Sequence, residues 1–278
     1  MSYNSLFSVL TDTALVDGTL DHAIAMAAAH DAHLDVLCLG VDRSQTGYYY
    51  AGASAVVLQD TITRAQEEAD EIDAAARRRL GREDIRWSIE KGACQLADLG
   101  RHVALRARFS DLAIVPQPYG EDRGAELEPA TEAVLFDGRT PALIVPRSVA
   151  PRPPKRVVVG WNESAEALAA VRAAMPVLRG AEVAHLAIID PPTHGPTRSD
   201  PGGMVSQYLS RHGVKVEIDV LSKTLPKVSD ILLRHATDVG ADLLVMGAYG
   251  HSRFREAIFG GATRSMLEEA TLPVLMAH

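Results

Sequence analysis

The residues best placed to do chemistry form one loop late in the chain. Gly247-Ala248-Tyr249-Gly250-His251-Ser252-Arg253 leaves the apolar run Leu243–Met246, and the loop returns through Phe254, Ile258 and Phe259 to Gly260-Gly261-Ala262-Thr263. Glycine permits positive φ and close backbone approach, and the unpaired N–H groups of a helix start attract anions. A phosphate cradle fits these features; so does an ordinary glycine-bearing turn between a strand and a helix. His251 and Arg253 can reach a phosphate or stand as surface polar residues. Phe254, Ile258 and Phe259 are expected to pack on a sheet or a partner.

Other chemistry-bearing residues have blander readings. His30-Asp31-Ala32-His33 falls where a helix gives way to a strand, and reads as a solvated helix end rather than a metal site. Tyr48-Tyr49-Tyr50 is expected to close an interface, although stacked tyrosines can also hold a base. Cys38 sits in an apolar run and reads as core, while Cys94 has only Lys91 nearby to activate it. His194-Gly195-Pro196 lacks the second histidine of a nucleotidyl-transferase motif and is set aside. No Ser/His/Asp set or carboxylate pair is placed for hydrolysis, so neither a catalytic residue nor a metal ligand is expected.

The elements that must hold the glycine loop come as an internal repeat. Short β-branched and aliphatic runs alternate with Ala-rich amphipathic stretches, which argues for βαβ units and a parallel sheet. Strands are expected at 6–10, 34–39, 85–89, 112–115 and 142–145, then at 156–159, 183–189, 214–220, 243–246 and 273–276. Helices are expected at 17–30, 55–80, 96–108 and 126–136, then at 164–178, 204–212, 228–239 and 261–270. Asp111-Leu112-Ala113-Ile114-Val115 aligns with Asp242-Leu243-Leu244-Val245-Met246 at an offset of 131, whereas Ala32-His33-Leu34 aligns with Ala181-Glu182-Val183 at 149. The second copy is therefore shorter by about 20 residues between its second and third strands. A Pro-rich stretch, Pro146 to Pro154, separates the copies, giving expected domains 1–147 and 155–278. Pro176 should bend or finish the helix that contains it.

Composition removes several functional classes. The chain has 278 residues, 47% apolar and 23% charged, which suits a folded protein of about two domains. Lys+Arg minus Asp+Glu is 28 − 36 = −8, so a nucleic acid or an anionic membrane is not an expected partner. No apolar run approaches the ~20 residues of a bilayer span, and the opening Met1-Ser2-Tyr3-Asn4-Ser5 lacks the features of a signal peptide. Two cysteines cannot build a disulfide framework. A cytoplasmic location is the default expectation.

The spacing Gly247-x2-Gly250-x9-Gly260 resembles the G-x2-G-x9-G-[Ser/Thr] signature of ATP-binding universal stress proteins, and the full chain resembles the tandem form of that family. The resemblance implies two five-stranded, Rossmann-like parallel sheets of the adenine nucleotide alpha hydrolase-like type, each in strand order 3-2-1-4-5. It places the glycine loop at the crevice between strands one and four of the second copy, where open α/β sheets bind ligands. It implies an adenine nucleotide as partner, ATP with Mg2+ foremost, in a non-catalytic regulatory protein that forms a homodimer. Gly247 and Gly250 match the glycines that contact ribose and phosphate, and Gly260 the one that cradles phosphate. Ile188 and Met246 match positions beside the base and at the end of strand four. In Val159-Gly160-Trp161-Asn162-Glu163-Ser164, Asn162 stands where the family has a carboxylate toward adenine, and its amide can both donate and accept. Gly261 stands where the signature has Ser or Thr; it keeps the backbone N–H, and Thr263 offers a hydroxyl two residues on. In the first copy Asp12 follows strand one. After strand four, however, Pro116-Gln117-Pro118 removes donors, and Glu121 and Asp122 repel phosphate, so no nucleotide is expected there. The alternatives are a slow ATPase or nucleotidyl transferase on the same fold, or a scaffold indifferent to nucleotide.

Overall fold

The computed structural model describes residues 2–44, 55–120, 123–147, 149–191, 200–248 and 261–278. The chain divides into two compact units, Tyr3–Thr140 and Pro141–His278. In the N-terminal unit the elements are β1 (Ser5–Leu10), α1 (Val16–His30), β2 (His33–Asp42), α2 (Ala55–Leu80), β3 (Arg86–Gln95), α3 (Leu99–Ala107), β4 (Leu112–Pro116) and α4 (Leu127–Glu132). Its strands lie in the order β3-β2-β1-β4 and pair in parallel. The strand β5 (Ala142–Val145) opens the second unit, followed by β6 (Arg156–Trp161), α5 (Ala165–Ala173), α6 (Met175–Leu178), β7 (Val183–Ile189) and α7 (Gly203–Arg211). Next come β8 (Val216–Leu221), α8 (Val228–Asp238), β9 (Leu243–Gly247), α9 (Gly261–Glu269) and β10 (Val274–Ala277). The order here is β5-β10-β9-β6-β7-β8, parallel except that β5 runs antiparallel to β10.

The repeat read from the sequence reappears as a duplicated hydrogen-bond device. Asp111, just before β4, accepts the N–H groups of Asn4 and Ser5 at 2.7 and 3.1 Å. Asp242, just before β9, does the same for Lys155 and Arg156 at 2.8 and 3.0 Å. In each copy one carboxylate satisfies two amides at the open end of the first strand, which fixes the register of the central pair. Strands with near-continuous apolar runs form the cores: Leu6, Phe7, Leu34 and Ile114 in one unit, Val157, Val158, Leu186 and Leu244 in the other are at most 1% exposed. Such runs belong to parallel strands covered on both faces.

Several boundaries move from their expected places for physical reasons. β3 extends to Gln95 because it pairs along the whole of β2, from His33↔Arg86 to Asp42↔Gln95. The expected helix at 164–178 breaks at Ala174, and Pro176, which has no N–H to give, sits in the first turn of the short α6. The expected helix at 126–136 narrows to α4 and then widens into a π-type turn, Ala133–Asp137. The length difference between the copies lies largely in one helix: α2 has 26 residues and α7 has 9, and 26 − 9 = 17. Among the described residues no helix is long and apolar enough to cross a membrane.

Candidate functional site

In the C-terminal unit the strand order reverses at β6, which has β7 on one side and β9 on the other. Connections from parallel neighbours leave toward opposite faces there, so their carboxyl ends open a crevice. The segment after β6 is built tightly. Asn162 is exposed, and its side-chain oxygen accepts the N–H of Ser164 at 3.2 Å. Ser164 caps α5, accepting the N–H of Ala167 at 3.1 Å. Glu163 between them holds φ at +62°, and Asp190 after β7 holds +49°, both in the left-handed region that side chains other than Gly, Asn and Asp seldom adopt. The Asn162 oxygen is thus committed to its own turn, and its NH2 group is the part free to face a ligand.

The remaining expected positions have definite neighbours. A Cβ on Gly160 would lie 3.2 Å from Leu232 Cδ1 of α8, so the small residue lets that helix approach β6. Ile188 and Met246 are 6% and 8% exposed, at the ends of β7 and β9. Gly202 lies over Ile188: a Cβ there would fall 2.6 Å from Ile188 Cδ1. Gly247 is covered by the first turn of α5 and still pairs with Ala277. The N–H of Ala248 donates to Ala277 O at 2.8 Å, and its carbonyl accepts from His278 Nδ1 at 3.0 Å. The first amide beyond β9 therefore belongs to the sheet rather than to a ligand. Gly261 opens α9, and Thr263, two residues on, is 4% exposed. Gly250 and Gly260, with His251, Arg253, Phe254, Ile258 and Phe259, lie outside the described residues.

The corresponding place in the N-terminal unit is filled by an ion pair that no short motif announces. Glu126, immediately before α4 and 1% exposed, receives Arg43 Nε and Nη2 at 2.9 Å each and the Thr11 hydroxyl at 3.3 Å. Arg43 follows β2 and also meets the Thr11 carbonyl at 3.3 Å and Glu68 of α2 at 2.9 Å. Glu126 is the N-cap residue of α4, and its carboxylate is held by Arg43 and Thr11 rather than by the amides of that helix. Asp12 is engaged as well, accepting Ala14 N–H at 2.8 Å to cap a turn of 3-10 helix. Glu121 and Asp122 lie outside the described residues.

Burial pushes the Glu126 carboxyl up, but the hydrogen bonds and charge of Arg43, with Thr11, outweigh it and hold the group below its ordinary value of 4.5. A lowered folded value means stabilisation complete above the ordinary glutamate range and lost as pH falls through the folded value. Glu126→Gln is expected to cost the N-terminal unit about 2 kcal/mol near neutral pH, moderated by the partial exposure of Arg43. The difference from wild type should shrink as pH drops below ordinary glutamate values. Urea unfolding followed at Trp87 on β3 checks both the size and the sign.

The other sequence candidates fall apart spatially. His30 stacks edge-on against Tyr3 with ring centroids 4.8 Å apart, whereas His33 turns to Ser88 at 3.1 Å and Asp35 at 3.4 Å. Burial, with a smaller push from Asp98, raises the Cys94 thiol to about 11, and burial, with Asp73, raises Cys38 to about 12. Neither thiol is a nucleophile at neutral pH. Tyr48-Tyr49-Tyr50 and His194-Gly195-Pro196 lie outside the described residues.

Comparison with known proteins bears on the C-terminal half first. Residues 153–278 match the model of the universal stress protein family. A universal stress protein of Synechocystis sp. is 34% identical over 88 residues, a match that covers 30% of this chain and 30% of that relative. The chain thus matches less than a third of the length of this curated relative. Among solved structures, a universal stress protein from Archaeoglobus fulgidus superposes with a TM-score of 0.71 at 16% identity, covering 99% of this chain and 98% of its own. A Pseudomonas aeruginosa protein of unknown function gives 0.53 at 15% identity, over 99% and 92%. At such identities the likeness concerns the fold, and it extends over both units.

Proposed function

We infer that this chain, whose residues 153–278 are a domain of the universal stress protein family, is a non-catalytic regulatory protein that binds one adenine nucleotide, ATP foremost, in its C-terminal unit. The observation that carries the reading is the asymmetry between the two strand-order reversals. In the N-terminal unit Arg43 and Glu126 pair with each other beside Thr11, at the end of β1, and so place protein charge near that reversal. In the C-terminal unit the reversal at β6 and β9 leads instead into the glycine-spaced loop that resembles the nucleotide signature. The Asn162 NH2 group then serves a base acceptor, and the start of α9 the phosphates.

Isothermal titration with ATP, ADP and AMP, with and without Mg2+, tests this directly. The expected stoichiometry is one per chain, since the other copy carries its own anion. Trp161, adjacent to Asn162, should report binding by fluorescence. At 100 times its Kd a ligand adds about 2.7 kcal/mol to the stability of the folded unit, so the melting point should rise clearly. Gly250→Val and Gly260→Val are expected to abolish the heat in protein that circular dichroism shows to be folded, and phosphate release should stay at background. No heat and no melting shift at millimolar nucleotide overturns the reading; two nucleotides per chain overturns the assignment of the N-terminal copy.

A further inference from the structure

Away from this crevice, on the sheet of the C-terminal unit, three side chains from three elements converge. Parallel register sets Val158, His185 and Glu217 side by side, and Gly160, Ala187 and Asp219 two residues further along. Because side chains alternate, His185, Glu217 and Asp219 share one face. Helix α8 lies on that face, with Leu232 over Gly160 and His235 one turn on reaching Asp219. His185 Nδ1 and His235 Nε2 both approach a single oxygen, Asp219 Oδ2, at 2.9 Å. The three ligand atoms lie within 4.8 Å of one another, and the side chains are 12%, 12% and 27% exposed.

We propose that His185, Asp219 and His235 bind a borderline divalent cation of the zinc type. Two imidazole nitrogens and a carboxylate oxygen are the donor set such ions take in tetrahedral coordination. Tetrahedral ligands about 2.0–2.1 Å from a metal stand about 3.3 Å apart. The two N···O separations need to open by a few tenths of an ångström, and the two nitrogens, within 4.8 Å of each other, need to close to the same spacing. Each neutral imidazole then moves its proton to the opposite ring nitrogen, freeing Nδ1 of His185 and Nε2 of His235 as donors to the metal. Glu217, whose Oε2 is 3.9 Å from His185 Nδ1, is within reach of the fourth position. The cation would pin β8, which pairs with β7 alone among the described strands, to α8 and the sheet. The site is structural, and independent of the nucleotide reading: by strand alternation His185 and Asp219 lie on the sheet face opposite to that of Ile188.

The test uses the full-length chain, stripped with chelator and titrated with Zn2+ by calorimetry, and with Co2+ for its visible absorption. One equivalent of Zn2+, the intense visible bands of tetrahedral Co2+ and a melting rise of several degrees at Trp161 are expected. Asp219→Asn keeps the side-chain shape and His235→Gln keeps a polar group at the position; each should weaken binding at least about 100-fold, and the size follows from losing a direct ligand where outer-shell losses alone cost 10–100-fold. Circular dichroism establishes that both variants remain folded. Absence of a zinc equivalent in wild type overturns the proposal without recourse to any variant. So does an equivalent retained with unchanged affinity in the His185→Gln/His235→Gln double variant.

Discussion

Gly40→Ala is expected to destabilise the N-terminal unit by about 3 kcal/mol or more, the largest effect of any single methyl group in the described protein. A Cβ on Gly40 would lie 1.7 Å from the carbonyl oxygen of Ala65 and 2.9 Å from the amide nitrogen of Ala69. Both are backbone atoms of α2, so no rotamer change can relieve the overlap. The helix itself must lift, and its buried stripe of Ala65, Ala69, Ile72, Ala76 and Leu80, each at most 4% exposed, must leave the sheet with it. Gly92 on the neighbouring β3 is the internal control. Its Cβ would meet only Leu39 Cδ2, at an ordinary 3.6 Å, and Gly92→Ala should shift stability by no more than about 0.5 kcal/mol. Trp87 and Trp161 are the only tryptophans and lie one in each unit. Fluorescence in Trp161→Phe and Trp87→Phe backgrounds therefore reads each unit separately. A Gly40→Ala protein with the wild-type Trp87 midpoint would show that α2 does not sit on β2 at this distance.

The same contrast explains what the sequence could and could not disclose. The apolar runs and their spacing make the two copies and the shortened second copy legible, since these depend on local pattern and on a period that one chain displays by itself, whereas the strand order is what the family resemblance implies. Asp111 and Asp242 align in the sequence, and they share one hydrogen-bond role. What stayed hidden was formed by side chains distant in sequence. Arg43 and Glu126 are 83 residues apart, and they meet only because β2 and the segment before α4 both end at the carboxyl edge of the sheet. His185 and Asp219 are 34 residues apart and His235 lies 16 beyond, which no metal motif spacing covers. Their convergence follows from strand register, which a single sequence does not state. Glycines were legible as glycines but ambiguous in purpose, because a residue without a side chain signals close approach without saying by what.

Gly247 makes that ambiguity testable. By resemblance it is a ligand-contacting glycine, yet a Cβ there would lie 2.6 Å from Ala167 N and 2.7 Å from Glu166 C, the backbone of the first turn of α5. The N–H of Ala167 is the one that Ser164 caps, and Ser164 is in turn tied to Asn162. A methyl group on Gly247 would push that turn away from β9 and disturb the whole segment after β6. Gly247→Ala is therefore expected to lower the stability of the C-terminal unit by about 2–3 kcal/mol in the absence of any nucleotide, read as a fall in the Trp161 midpoint with Trp87 unchanged. Any loss of nucleotide affinity would then come from the displaced Asn162 segment as much as from a missing contact. An apo protein carrying Gly247→Ala at wild-type stability would overturn this reading. The close approach of α5 to β9 would then not be a constraint on position 247, and the requirement for glycine would have to come from the ligand.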